Sequence, residues 1–212
     1  MQTICSILGD FYHQHDPAYE TVKKAAAQLG VAFNDYPLDD MADVLSQNPS
    51  AIIFMTENRL NPQSETVDVW LTPALDEKIT QYVAQGGSLI AMHAALASYP
   101  ADSAYASMLK GHFISHPPDH YDVHYQSNAA MPFLDAAPFD FIAPDEHYVV
   151  YVDTENTNVF MTLSSPYGEG PAGWYHTYGN GKVIVLTPTH NKEGFAHPEM
   201  IRLVAEAIRW AI

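Results

Sequence analysis

The segment GGSLIAMHAA, residues 86–95, has the pattern of an apolar strand that runs into a helix through a sharp turn. The run Ser88–Met92 is short and apolar, which favours a buried strand, and His93 follows it at the tip of the turn. Alanine stands two positions before and two positions after His93, and small residues at these places permit a tight strand-to-helix reversal. The segment therefore predicts an α/β fold with an imidazole at the end of a strand.

The residues before this segment alternate between strand and helix patterns. Asp16 and Pro17 are typical of a helix start, and Gly30 is typical of a helix end. A second helix is expected from Thr72-Pro73 to the glycines at the start of the quoted segment. Such alternation predicts a parallel sheet with helices on both faces. The strands predicted in this half are Ile4–Leu8, Val31–Tyr36, Ala51–Met55 and Ser88–Met92.

The residues after the quoted segment are richer in strand patterns. After a further helical stretch towards Leu109, short strands are expected, and Gly179-Asn180-Gly181 is typical of a hairpin turn. A final amphipathic helix is expected from Pro198. We therefore expect extra strands at one edge of the sheet and a single domain over residues 1–212. The strands predicted in this half are Tyr121–Gln126, His147–Val152, Val159–Leu163, Ala172–Tyr178 and Lys182–Leu186.

The composition restricts the partners and the location of the protein. Nine basic residues against 25 acidic ones give a formal charge of −16, which repels nucleic acid. No apolar run is long enough to span a membrane, and no signal peptide is visible, so we expect a cytoplasmic protein. Cys5 is the single cysteine, which excludes an internal disulfide and a multi-thiolate zinc site.

Four histidines follow predicted strands or lie in the next loop: His15, His93, His116 and His190. In open α/β sheets the reactive site forms outside the carboxyl ends of the strands, so these side chains are expected to meet there. At a helix start the macrodipole disfavours the protonated form of His93, which predicts a neutral resting imidazole. His13, two residues before His15, is interpreted as a structural loop residue.

Four histidines also recur every fourth residue, which invites the interpretation of a metal-binding helix. The pair Pro117-Pro118 excludes a continuous helix, because proline removes a donor and clashes with the preceding turn. The spacing is therefore interpreted as coincidental, and His116, held extended before the prolines, is retained as the best candidate. The recurring residues are His112, His116, His120 and His124.

Two further groups could take part in binding or catalysis. Glu146 precedes a predicted strand, where a carboxylate could act as an acid or base or could orient a histidine. Trp174 and His176 lie on a predicted strand, where the aromatic ring could stack on a sugar. Core packing is an equally good interpretation of Trp174.

Taken in order, these motifs resemble those of the trehalose-utilisation (ThuA-like) family and, more widely, the class I glutamine amidotransferase-like superfamily. The matching pieces span nearly the whole chain. They are His15-Asp16, the Gly-Gly-x5-His-x-Ala motif from Gly86 to Ala95, His116-Pro117-Pro118, Asp145-Glu146-x-Tyr148, Trp174-x-His176-x2-Gly179-x-Gly181-Lys182-Val183, Thr189-His190 and Ile208-Arg209-Trp210-Ala211.

The resemblance implies a flavodoxin-like three-layer sandwich with a mainly parallel sheet and extra edge strands in the second half. It also implies a role in disaccharide use, through keto-sugar intermediates, and favours a homo-oligomer. Amidotransferases carry a cysteine at the elbow, where this sequence has His93, so the departure argues against glutamine hydrolysis.

Two functions are compatible with these residues. In the first, an enzyme acts on a carbohydrate such as a keto-sugar, with His93 and Glu146 as acid–base groups. His15, Trp174 and His176 would then bind substrate, and His15, His116 and His190 could instead hold a divalent metal such as zinc. In the second, the scaffold lacks a nucleophile and only binds or senses a small ligand.

Overall fold

The computed structural model describes residues 2–128 and 138–212. Its strands are β1 (Thr3–Leu8), β2 (Ala32–Asp35), β3 (Ala51–Met55), β4 (Ser88–Met92), β5 (Gly111–Ser115), β6 (Tyr121–Ser127), β7 (Asp140–Asp145), β8 (Val149–Val152), β9 (Asn158–Ser165), β10 (Gly168–Tyr178) and β11 (Gly181–Leu186). Its α-helices are α1 (His15–Leu29), α2 (Met41–Ser46), α3 (Pro73–Ala84), α4 (Ala104–Leu109), α5 (Lys192–Phe195) and α6 (Pro198–Ala211).

Within the described part of the chain, nine strands form one sheet in the order β2-β1-β3-β4-β11-β10-β9-β6-β7. The pairs from β2 to β11 are parallel, and the pairs from β11 to β7 are antiparallel. Strands β5 and β8 pair separately as a two-stranded antiparallel sheet. The α/β fold with extra strands in the second half, predicted from the sequence, is confirmed.

Helices cover both faces of the parallel half and give it three layers. On one face α1 and α6 pack against β1, β3, β4 and β11 through buried residues such as Val22, Leu203 and Ile184. On the other face α2, α3 and α4 bury residues such as Val44, Val83 and Met108. Because strands such as β3 and β4 are buried along their whole length, they appear in the sequence as continuous apolar runs.

The helix boundaries differ from the prediction at two places. Helix α1 begins at His15, one residue before the predicted cap Asp16, although Gly30 ends it in the left-handed conformation as expected. The helical stretch expected after the elbow is divided into a short 3-10 turn, His93–Leu96, and α4, which Ser103 caps. Residues 97–103 between them form bends and a turn.

The cap before α3 and the turn between β10 and β11 are as predicted. Thr72 caps α3 by accepting a hydrogen bond from the Leu75 amide, with Pro73 as the first helical residue. The two residues Gly179 and Asn180 join β10 to β11. None of the described helices is both long enough and apolar enough to cross a membrane. The cytoplasmic location and the homo-oligomer stay predictions.

Candidate active site

His93 stands at the elbow between β4 and the 3-10 turn, at the carboxyl end of a strand in the middle of the sheet. Its φ of 40° lies in the left-handed region, which is uncommon for a residue other than glycine. The side chain is wholly buried. The elbow predicted from the small residues around His93 is therefore present, and its backbone is held in a strained conformation.

The contacts of His93 determine which of its ring nitrogens is free. Nδ1 lies 2.6 Å from the carbonyl oxygen of Thr187, just after β11, and must donate a hydrogen to it. Nε2 therefore carries the lone pair in the neutral ring. It lies 3.4 Å from Oε2 of Glu146, and the ring of Tyr148 stacks on His93 at a centroid distance of 4.0 Å.

Glu146 is the acid around which the histidines gather. Its carboxylate lies 3.4 Å from both His93 Nε2 and His190 Nδ1. It lies 3.7 Å from Nε2 of His116 and of His120. Four imidazoles from distant parts of the chain therefore surround one largely buried carboxylate, as the sheet-edge argument predicted for His93, His116 and His190.

The charges in this group shift the pKa values of its members. Burial opposes ionisation of Glu146, but the adjacent ring of His93 and the charges of the nearby imidazoles lower the pKa of Glu146 to about 2. Burial also opposes protonation of His93, yet Glu146 and Asp145 outweigh it and raise the pKa of His93. The two carboxylates therefore favour the protonated form of His93, in the opposite direction to the helix dipole considered in the sequence.

The pKa of His190 shifts in the opposite direction to that of His93. Burial and the charge of His93 lower the pKa of His190 to about 4, so its ring is neutral near pH 7. Its backbone amide donates to Oδ1 of Asp145 over 2.8 Å, which fixes the loop after β11. Asp145 is fully buried and also accepts a 2.6 Å hydrogen bond from the Tyr125 hydroxyl.

His13 also belongs to the cluster, so its interpretation as a purely structural loop residue misses its position. Its ring centroid lies 4.8 Å from that of His190 and 5.1 Å from that of His93. Nδ1 of His13 donates to Oδ1 of Asp10 over 2.7 Å, which leaves Nε2 as the free nitrogen. Asp10 lies three residues before His13, but the sequence does not show that its carboxylate orients this ring.

Asp10 organises the loop that carries His13. Its Oδ1 also accepts hydrogen bonds from the amides of Tyr12 and His13, and its Oδ2 accepts one from the amide of Glu57 over 2.8 Å. The turn begins at Gly9 with a φ of +83°, and a Cβ there would lie 2.9 Å from Cβ of His15. Glycine is therefore required for the loop to close on itself.

Among the residues that the structure describes, two groups of side chains place their potential ligand atoms within 4.8 Å of one another. One consists of His13, His93 and His190, and the other of His120, Glu146 and His190. His190 was expected as a ligand and belongs to both groups. His116 contacts Glu146 but belongs to neither of them.

His15 is not brought to the cluster, although it was expected to bind substrate or metal. Its Nε2 lies 2.8 Å from Oδ2 of Asp35, and its Nδ1 lies 2.9 Å from Oδ1 of Asp16. Its ring also stacks on Tyr19 of α1. Two carboxylates thus occupy both ring nitrogens of His15, because α1 begins at this residue and turns its side chain towards β2.

Trp174 and His176 lie in the core and not in a sugar-binding wall. Trp174 is wholly buried, and its Nε1 donates to the Leu109 carbonyl over 2.8 Å. His176 is almost wholly buried, with Nε2 donating to the Met108 carbonyl over 2.8 Å and Nδ1 beside Oγ1 of Thr157. For Trp174 the alternative of core packing is the one that the structure supports.

The four histidines spaced four residues apart do not all lie where the sequence predicted. They do not form a helix, but His116 and His120 lie on either side of the proline pair and both reach Glu146. His112 stacks on Tyr151, and His124 lies 2.7 Å from Asp140. Two of the four histidines therefore lie beside Glu146, and the other two have partners elsewhere.

A cleft of about 460 Å³ opens over the cluster. His13, His116, Glu146 and His190 are part of its lining, whereas His93 lies behind Glu146. The lining also includes Tyr12, Glu57 and Arg59.

The wall that contains Glu57 was missed from the sequence. Arg59 donates through Nε and Nη2 to Oε2 of Glu57, over 2.9 and 2.7 Å. Oε1 of Glu57 is buried and has no hydrogen-bond partner within the described residues. No local pattern in the sequence shows that the side chain of Glu57, two residues after β3, turns inwards to the cleft.

Residues 4–211 match the model of the ThuA family, which is described as trehalose utilisation. The chain belongs to the ThuA family. No curated protein matches the chain significantly. The family assignment predicted from the ordered motifs is thus confirmed.

Solved structures support the same fold. A ThuA-like protein from Parabacteroides merdae superposes with a TM-score of 0.78 at 13% identity, covering 99% of this chain and 89% of that one. A ThuA-like protein from Bacteroides uniformis gives 0.72 at 19% identity, covering 100% and 91%. A cold-adapted β-galactosidase from Rahnella gives 0.69 at 13% identity, covering 98% of this chain and 31% of that enzyme.

Proposed function

We propose that this ThuA-family protein is an enzyme of carbohydrate metabolism that acts on a sugar or keto-sugar derivative by acid–base chemistry. The observation that carries the proposal is the gathering of four imidazoles within 3.7 Å of the Glu146 carboxylate, beside an open cleft. A carboxylate held among imidazoles offers both a proton acceptor and proton donors within one substrate's reach.

The cleft suits a ligand rich in hydroxyl groups. Its volume of about 460 Å³ falls within the range of small-molecule sites. Oε1 of Glu57 can accept a hydroxyl hydrogen, Arg59 can donate one, and the half-exposed ring of Tyr12 offers an apolar face. These residues take the substrate-binding role that the sequence analysis gave to His15, Trp174 and His176.

The chemistry proposed is proton transfer at an α-hydroxyketone. Glu146 accepts the proton from the carbon that bears the hydroxyl group, and the C–H electron pair becomes the C=C bond of an enediol. The carbonyl oxygen gains a proton from a cleft imidazole such as His116. Return of a proton to the former carbonyl carbon, with loss of a proton from the other oxygen, gives the isomeric keto-sugar without any oxidant or reductant.

His93 acts through Glu146 in this proposal. It is wholly buried behind the carboxylate, and its orientation is fixed by Thr187. It is therefore a positioning residue, which holds Glu146 in place. The family description, trehalose utilisation, supports a disaccharide derivative as substrate.

The test is a search for isomerisation of keto-disaccharides by NMR with the purified chain. We expect a new keto-sugar signal with the wild type, loss of turnover by about 10²–10⁴-fold in Glu146→Gln, and unchanged turnover in the control Glu77→Gln on the surface of α3. Ligand binding without turnover of any keto-sugar would instead support the binding-module alternative. Equal activity of Glu146→Gln and the wild type would contradict the proposed role of Glu146.

A further inference from the structure

The strongest unexplained feature of the site is the mutual orientation of His13 and His93. In each residue Nδ1 donates to a fixed oxygen, which is Asp10 Oδ1 for His13 and the Thr187 carbonyl for His93. In the neutral form of each ring, Nε2 is therefore the nitrogen with the lone pair. This arrangement, in which an acceptor fixes one ring nitrogen and frees the other, is typical of histidines that bind metals.

His190 completes a set of three. Its ring lies 4.8 Å from that of His13 and 5.6 Å from that of His93, measured between centroids. The potential ligand atoms of the three residues all lie within 4.8 Å of one another. Zinc bound to nitrogen at about 2.1 Å brings its ligands to roughly 3.4 Å from one another, so small ring movements would close the site.

The burial of this set argues for a ligand. His93 is wholly buried, and its Nε2 has no hydrogen-bond partner within the described residues. Hydrogen bonds to the Asp10 and Thr187 oxygens already anchor two of the rings, so they cannot turn away to find another partner. A cation would satisfy the converging lone pairs.

We propose that His13, His93 and His190 bind one divalent transition-metal ion, with zinc as the best fit. Three neutral imidazoles with an open coordination position are a common ligand set for zinc. The open position would face the cleft beside Glu146, where a substrate oxygen could reach it. This set replaces the ligands His15, His116 and His190 expected from the sequence and retains only His190.

The proposal concerns metal binding alone, so it can fail or succeed without any result from the sugar assay. Untagged protein is stripped with a chelator, dialysed and titrated with Zn²⁺ by calorimetry, and with Co²⁺ followed by its visible absorption. We expect one equivalent of metal per chain. His13→Gln and His93→Gln should each weaken binding by about 100-fold or more, and Asp10→Asn, which leaves all three ligands in place, by about 10–100-fold.

The controls are His15→Gln, His112→Gln and His124→Gln, whose side chains have partners outside the cluster. They should bind the metal as the wild type does, and circular dichroism verifies the fold of every variant. If a ligand variant unfolds, Asp10→Asn and the wild-type stoichiometry decide the outcome. Absence of stoichiometric binding, wild-type affinity in His13→Gln, or loss of binding in His15→Gln would overturn the proposal.

Discussion

Nε2 of His93 lies 3.4 Å from Oε2 of Glu146, and both side chains are buried. Because the Thr187 carbonyl holds the opposite nitrogen of His93, the imidazole cannot rotate without losing a 2.6 Å hydrogen bond. The elbow therefore presents an oriented imidazole to the carboxylate that faces the cleft.

His93→Gln should lower kcat and leave KM almost unchanged. The substitution removes a group behind Glu146 and not one in the cleft wall, so substrate binding retains its contacts. A loss of kcat by about 10–100-fold is expected for such a supporting residue. Steady-state kinetics measure both values, and a rise in KM with constant kcat would show that His93 contacts substrate directly.

Arg59→Lys should raise KM with little effect on kcat. Arg59 holds Glu57 Oε2 through two N–H groups, and lysine cannot reproduce this fork. A loss of about 1–2 kcal/mol of substrate-binding free energy corresponds to a KM roughly 5- to 30-fold higher. Arg209→Lys on α6 is the matched control, because Arg209 pairs with the carboxylate of Glu206, which does not line the cleft. Equal KM values in both variants would show that Glu57 and Arg59 do not bind the substrate.

Trp174→Phe should destabilise the fold and leave KM unchanged. The variant loses the hydrogen bond to the Leu109 carbonyl and part of a ring packed against Gly111, where a Cβ would lie 2.6 Å from it. The expected cost is about 1–3 kcal/mol of unfolding free energy, measured by urea denaturation. A stable variant with a raised KM would restore the sugar-stacking hypothesis for this residue.

His176 should make part of the stability depend on pH. Burial lowers the pKa of His176, so the unfolded chain takes up a proton there more readily than the folded one. The contribution of His176 to the free energy of unfolding is complete above its pKa in the unfolded chain, about 6.5. It declines as the pH falls below that value. The difference in unfolding free energy between the wild type and His176→Gln should therefore shrink from pH 7.5 to about pH 5.5. An equal difference at both pH values would contradict this.

The elements that define the fold could be predicted because each carries a local pattern. The strand Ser88–Met92 is apolar throughout, Gly30 ends a helix, and Gly179-Asn180 makes a tight hairpin. These patterns depend on near neighbours in the chain, which a sequence displays directly. The ordered motifs also identified the family.

The partners of the histidines could not be predicted in the same way. His13 and His15 both follow β1. Only the fold shows that His15 pairs with Asp35 outside the cluster, whereas Asp10 orients the ring of His13 within it. His120 was set aside with the proline pair, because a sequence does not show how the loop around the prolines folds back on Glu146.

The most direct test of the account is deuterium incorporation from D₂O into a keto-disaccharide, followed by NMR. Proton transfer through Glu146 predicts exchange at the carbon next to the carbonyl with the wild type, even where the equilibrium leaves little product, and loss of that exchange in Glu146→Gln. Product formation without any solvent deuterium, or undiminished exchange in Glu146→Gln, would contradict it.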